Sequence, residues 1–214
     1  MLLAIPKVLK PDELQLVRAW LADAPFADGR LSAGAVARRV KSNQEVEQGA
    51  PDLEKLNRLV MGNLVRHPVY RAGALPLHVA SPFYARYRPG MTYGDHLDDP
   101  IMGTEGVMYR SDIAVTVFLN EPAEYDGGEL IIRSTAGDQA VKSPAGDAVI
   151  YPASSVHQVS PVTRGERLVA VTWLQSLVRD PARRELLYGL NMARERLLQG
   201  APDAPETVQV NAAY

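Results

Sequence analysis

The sequence predicts a mainly β domain, a sandwich or barrel, flanked by helices at both ends. Three observations carry that reading. From about residue 78 to 177 the hydrophobic period is two, in short segments rich in Val, Ile and Tyr. These segments are separated by turn chemistry: Asp126-Gly127-Gly128, Ala136-Gly137-Asp138, Pro144-Ala145-Gly146-Asp147 and Arg164-Gly165. No long helical pattern interrupts them, which argues against a parallel α/β sheet.

The elements follow in order. Pro11 suits a first helical position, with Asp12 and Glu13 in the first turn and Leu14, Val17, Trp20 and Leu21 recurring at helical spacing. A second helix follows Pro51, with Asp52 as its cap, Leu53, Leu56, Leu59, Val60 and Leu64 on one face, and His67-Pro68 as its end. There His67 is expected to interact with exposed carbonyls, and His78 to do the same at a strand end. Residues 38–48 between the helices are polar and carry no assignable period. Strands are predicted over 83–88, 113–119, 129–133, 139–142, 148–151, 156–160 and 167–174. Asp180-Pro181 then starts a C-terminal helix with Leu186, Leu187, Leu190 and Leu197, and the residues after Gly200 read as a frayed tail or an interaction strand. The resulting segments are 1–77, helical and packed on the barrel; 78–177, the core; and 178–214, the C-terminal helix and tail, which leaves a homo-oligomer open.

The 214 residues suffice for a self-supporting core. With 46% hydrophobic and 22% charged residues, disorder, collagen and coiled coil are poor readings. Lys and Arg number 23 against 25 acidic residues, a formal charge of −2, so no whole-domain field draws nucleic acid or an anionic membrane, and neither is an expected partner. The absence of cysteine excludes disulfides, thiolate zinc sites, iron–sulfur clusters and cysteine nucleophiles. The apolar start is too short for a signal peptide and no run reaches spanning length, so a cytoplasmic protein is expected.

The chemistry is concentrated in a few residues. His96-Leu97-Asp98 sets an imidazole and a carboxylate two residues apart, on one face of an extended chain. His157 follows the small turn Pro152-Ala153-Ser154-Ser155, where an antiparallel fold can return it beside the first pair. Two histidines and one carboxylate form the facial triad of non-haem Fe(II), leaving positions for cosubstrate, water and oxygen. His-x-Asp alone is a weak motif, and the strand parity that selects Asp98 turns Asp95 and Asp99 away. Arg167, entering an apolar strand, needs an anionic partner, because an unpaired buried charge is very costly. A dicarboxylate cosubstrate supplies one, and a guanidinium binds a carboxylate through a planar fork that lysine lacks.

His96-Leu97-Asp98, His157 and Arg167, with residues 84–94 (Tyr84-Ala85-Arg86-Tyr87-Arg88-Pro89-Gly90-Met91-Thr92-Tyr93-Gly94) before them and Asp126-Gly127-Gly128-Glu129-Leu130 between, resemble the Fe(II)/2-oxoglutarate dioxygenases of the prolyl 4-hydroxylase type. Asp28-Gly29-Arg30 and Val40-Lys41-Ser42-Asn43-Gln44 extend the resemblance to the bacterial PKHD-type hydroxylases, over nearly the whole chain up to the C-terminal tail. The resemblance implies a double-stranded β-helix, a cupin-like jelly-roll. It also implies Fe(2+) as metal, 2-oxoglutarate and O2 as cosubstrates, and L-ascorbate as reductant. It makes His96, Asp98 and His157 the metal ligands and Arg167 the group for the distal carboxylate of 2-oxoglutarate. Tyr87 becomes a hydrogen-bond partner of that cosubstrate, with Tyr93 close enough that the sequence does not say which phenol turns inward.

The function expected is hydroxylation of a peptidyl or small-molecule substrate, with decarboxylation of 2-oxoglutarate to succinate. The alternative is a metal-dependent isomerase or hydrolase on a cupin-like barrel, which has no need of Arg167; a silent binding module has no need of the triad. Residues 38–48 and 97–110 are expected to frame the pocket. Blander roles fall to Trp20 and Trp173 as core packing, to Asp126-Gly127-Gly128 as a turn, and to Arg38, Arg39, Lys41, Arg179, Arg183, Arg184, Arg194 and Arg196 as solvated faces.

Overall fold

The computed structural model describes every residue of the chain except Ala136, so the predicted turn Ala136-Gly137-Asp138 lies partly outside the described residues. Successive side chains of a strand point to opposite faces, and in the central strands both faces are covered. In Ile113–Phe118 every residue is buried: Ile113, Val115 and Val117 join a cluster under the helices, while Ala114 and Phe118 face the interior between the sheets. The same alternation sends Arg167 and Val169 of Arg167–Ser176 inward and Leu168 and Ala170 toward the helices.

Two main antiparallel sheets result, with two small two-stranded pairs beside them. The larger runs in the spatial order Leu3–Ile5, Ala148–Pro152, Ile113–Phe118, Arg167–Ser176, Phe83–Tyr87, Gln44–Val46 and Phe26–Asp28, with Pro76–Val79 also on Arg167–Ser176. The smaller runs Gln139–Val141, Leu130–Ile132, His157–Val159, Thr92–His96 and Lys41–Ser42. Leu130, Ile132 and Val159 of the smaller sheet pack on Ala85, Val149 and Val169 of the larger, which is the jelly-roll arrangement expected. A hairpin, Ile101–Thr104 with Val107–Arg110, projects beside the open end.

Helices α1 (Pro11–Ala22) and α2 (Leu53–Arg66) lie where their periodicity put them, with Val17, Leu21, Leu56, Val60 and Leu64 against the larger sheet. Each such side chain contributes roughly 1.5–3 kcal/mol by leaving water. Pro11 is at the start of α1 as expected, but Asp52 is not a side-chain cap: its backbone is left-handed and its carboxylate holds Lys55 at 2.5 Å. His67 does end α2, yet Pro68 at once begins a short α3 (Pro68–Ala74), and the imidazole Nε2–H donates to the Pro6 carbonyl at 3.1 Å. The N-terminal segment also supplies strands to both sheets, which its helical pattern concealed.

At the C-terminus Asp180 caps α4 (Pro181–Gly200) as expected, accepting from the backbone N–H of Ala182 and Arg183. The tail is neither frayed nor a strand. Pro205 starts α5 (Pro205–Ala213), where the buried Thr207 hydroxyl donates to the Ala201 carbonyl and Arg194 of α4 donates to Asn211. Arg184 is no solvated face: it is buried and donates to the carbonyls of Val178 and Arg179 at 2.7 Å each.

Candidate metal centre and cosubstrate pocket

His96 closes the strand Thr92–His96 and His157 opens His157–Val159, and the two are register partners. Their ring centroids stand 4.2 Å apart. Asp98 follows just past the strand end, with Leu97 between turned outward. Asp98 Oδ1 is 3.9 Å from His157 Nε2, and one ligand atom from each of His96, Asp98 and His157 lies within 4.8 Å of the others. The triad predicted from the sequence is therefore brought together in space.

Those three groups fit a divalent metal. His96 Nδ1–H donates to the Gly94 carbonyl at 2.8 Å and His157 Nδ1–H to the Ser155 carbonyl at 3.0 Å, which leaves each Nε2 free to ligate. Burial first, then the neighbouring His157, lowers the His96 pKa to about 4, so its imidazole is neutral at pH 7, the form a metal needs. Asp98 Oδ2 is buried with no hydrogen-bond partner, a cost that a cation in the site would remove. Burial raises the Asp98 pKa against the pull of His157.

Asp95 is outside this cluster, as parity requires, and is ion-paired to Arg133 at 3.1 Å. Asp99 is exposed at the cavity mouth, beside Gly34. Tyr93 stacks on the His96 ring with centroids 3.5 Å apart, whereas Tyr87 lies deeper as the register partner of Arg167.

Arg167 is only 2% exposed, and among the described residues it has no ion-pair partner; its Nε is buried without a hydrogen bond. The guanidinium carbon stands 5.0 Å from the Tyr87 ring and 5.9 Å from that of Phe118. Such a cation is stabilised by an anion at contact distance, and among the described residues none makes an ion pair with it. Gly128 makes room for it: at φ +68° a Cβ there would come 3.0 Å from the Arg167 Cδ. Asp126–Gly127, expected as a turn, is instead a two-residue strand paired irregularly with Val162–Arg164, and Gly128 directly after it packs beside Arg167.

One cavity of about 730 Å³ joins the triad to Arg167; it is lined by Lys41, Asn43 and Glu45 of the expected segment 38–48 and by residues of the expected segment 97–110, but also by Ser32, Ala33, Gly34 and Ala37, outside those bounds. Three sequence expectations need correction here. Lys41 is buried rather than solvated, with Nζ 2.5 Å from Glu45 and 2.9 Å from the Ser32 hydroxyl. His78 is on the cavity wall, 4.7 Å from the Tyr109 ring, and caps nothing. Trp173 borders the core and also faces the cavity. Parity would have found it, since residues 167, 169, 171 and 173 of one strand share a face.

The 2OG-Fe(II) oxygenase superfamily model matches residues 82–175. A PKHD-type hydroxylase of Thioalkalivibrio sulfidiphilus is 56% identical over 97% of this chain and 92% of its own length. Another, from Hyphomonas neptunium, is 48% identical over 100% of this chain and 96% of its own. Among solved structures, a Pseudomonas putida prolyl-4-hydroxylase superposes with a TM-score of 0.54 at 20% identity, covering 83% of this chain and 93% of that one. A Trichoplax adhaerens prolyl hydroxylase, in complex with a hypoxia inducible factor peptide, gives 0.58 at 17% identity over 86% of each chain. At those identities the structures support the fold alone.

Proposed function

We propose, for a chain that belongs to the PKHD-type hydroxylases of the 2OG-Fe(II) oxygenase superfamily, that His96, Asp98 and His157 hold ferrous iron and that Arg167 and Tyr87 hold 2-oxoglutarate beside it. Hydroxylation by this family couples insertion of one oxygen atom of O2 into a substrate C–H bond to conversion of 2-oxoglutarate into succinate and CO2, the second oxygen atom entering succinate. The observation that carries the residue assignment is Arg167, a buried cation with no ion-pair partner among the described residues, in the same cavity as the triad. A Lewis-acid isomerase or hydrolase has no use for it, and that alternative is not favoured.

Ferrous iron supplies the redox chemistry by which O2 is activated. The chain does the rest. The two imidazoles, each fixed by a backbone carbonyl, and the Asp98 carboxylate present three donors from one side. Arg167 binds the distal carboxylate through its planar fork, and Tyr87, its cross-strand neighbour, donates its hydroxyl proton to the same group. Phe118, Leu130 and Val169 keep water from that end.

The reading includes residues 78–177 as the catalytic core, supported by the family match over 82–175. It includes L-ascorbate as the reductant that keeps the iron ferrous, supported by the resemblance to the prolyl 4-hydroxylase type. It also includes a cytoplasmic setting, the expectation drawn from the short apolar start; among the described residues no helix is long and apolar enough to cross a membrane. The test is succinate release from 2-oxoglutarate by the Fe(II)-loaded protein in air, with and without ascorbate. Turnover with Zn(II) equal to that with Fe(II) would reject the redox reading.

A further inference from the structure

Residues 29–46 carry a motif, Val40-Lys41-Ser42-Asn43-Gln44, to which the metal and the dicarboxylate assign no task. The strand register gives it one. Tyr87 is opposite Arg167 on one side, and on its other side Phe83–Tyr87 pairs with Gln44–Val46 through Gln44 opposite Arg86 and Glu45 opposite Ala85. Continuing that antiparallel register by one residue sets Asn43 opposite Tyr87. Directly opposed residues share a face of the sheet, so Asn43, Tyr87 and Arg167 form one row across three strands, and all three line the cavity.

The Asn43 side chain has little freedom. It is 4% exposed, its backbone carbonyl accepts from Gly29 N–H at 3.0 Å, and its Oδ1 is buried with no hydrogen-bond partner. That oxygen occupies the space of a side chain at residue 29: a Cβ on Gly29 would come within 1.8 Å of it. With the oxygen against Gly29, the NH2 end is left for Tyr87, and a side-chain hydrogen bond from Asn43 works against the burial that pushes the Tyr87 phenol up to about 12. A phenol has one proton to give, and once its oxygen accepts from a fixed donor that proton is directed elsewhere.

We propose that Asn43 is a positioning residue of the cosubstrate pocket: its amide N–H donates to the Tyr87 oxygen and thereby turns the phenolic O–H toward the carboxylate held by Arg167. Gly29 supports this by leaving room for the amide oxygen. The proposal rests on the placement of the distal carboxylate at Arg167 and Tyr87, and its test separates the two ideas.

The experiment is anaerobic calorimetric titration of 2-oxoglutarate into the Fe(II)-loaded protein carrying Asn43→Leu, Tyr87→Phe, both together, or Arg167→Lys. Loss of one hydrogen bond's worth of orientation should weaken binding by Asn43→Leu about three- to tenfold. In the Tyr87→Phe background the same change should cost less than about twofold, because the two residues act through one hydroxyl. Gly29→Ala, which displaces the amide, should match Asn43→Leu, and pyruvate, which lacks the distal carboxylate, should bind both variants as it binds the unmutated protein. Equal weakening by Asn43→Leu in both backgrounds, or of pyruvate as much as 2-oxoglutarate, would mean a merely structural role and overturn the proposal. So would full affinity in Asn43→Leu while Tyr87→Phe and Arg167→Lys lose theirs. If neither Tyr87→Phe nor Arg167→Lys weakens binding, the carboxylate placement fails and takes the proposal with it. Should Asn43→Leu not fold, Asn43→Ala, which also removes the donor without adding a charge, carries the same expectations.

Discussion

His96 and His157 face each other across one antiparallel ladder, with Asp98 two residues beyond the first, so a single pairing register assembles all three donors. Because side chains alternate, the residues flanking Asp98 do not share its position. We expect His96→Ala, Asp98→Ala and His157→Ala to lose Fe(II) affinity by at least tenfold, and Asp95→Ala and Asp99→Ala to keep it. Calorimetric Fe(II) titration under anaerobic conditions checks this, and equal losses for Asp98 and Asp99 would refute the ligand set.

Arg167→Lys keeps the charge and removes the planar fork. Loss of a charge-assisted hydrogen bond in a dry pocket costs about 1.5–3 kcal/mol, roughly tenfold to over a hundredfold in affinity. The apparent KM for 2-oxoglutarate should rise accordingly, with Fe(II) affinity unchanged. Succinate formation measured against 2-oxoglutarate concentration decides, and an unaltered KM would remove Arg167 from the cosubstrate site.

Gly128→Ala should be harmful twice over. At φ +68° an alanine is strained by about 1–2 kcal/mol, and its methyl would press on the Arg167 Cδ at 3.0 Å. Expected together are a fall in Tm of a few degrees and a raised KM for 2-oxoglutarate; a change in Tm alone would show that the turn is independent of the arginine.

A site of two imidazoles and a carboxylate binds first-row divalent ions in the order Mn(II), Fe(II), Co(II), Ni(II), Cu(II). Ni(II) should therefore displace Fe(II) and abolish succinate release without unfolding the protein. Chelation followed by Fe(II) should restore it. Nickel-loaded protein that turned over as fast as the iron form would contradict redox catalysis.

The strands of the core were legible because Val, Ile and Tyr alternate between glycine-bearing turns, and His157 and Arg167 lie on two of them; His96 instead closes Thr92–His96, a strand outside the predicted segments, and Asp98 lies just past it, so that pair was legible from its His-x-Asp spacing. Residues 29–46 were not. Their strands are two or three residues long, too short for a period to show, and Lys41 looks like a surface charge until Glu45, four residues on, is seen beside it in the cavity wall. The apolar neighbours of Trp173 suggest a place in the core, although its parity with Arg167 points it into the cavity. The last helix is hidden in the sequence because alanines and polar residues give no apolar stripe; Pro205 is its one signal, and Thr207 inside it is held by the Ala201 carbonyl.

The stretch Lys41–Glu45 pairs first with Thr92–His96 of the smaller sheet and then with Phe83–Tyr87 of the larger, stitching the barrel shut along one seam. The match to the wider superfamily, residues 82–175, does not extend to this wall. Altering residues 29–46 can therefore reshape one side of the cavity while His96, Asp98 and His157, carried on other stretches of chain, stay in place.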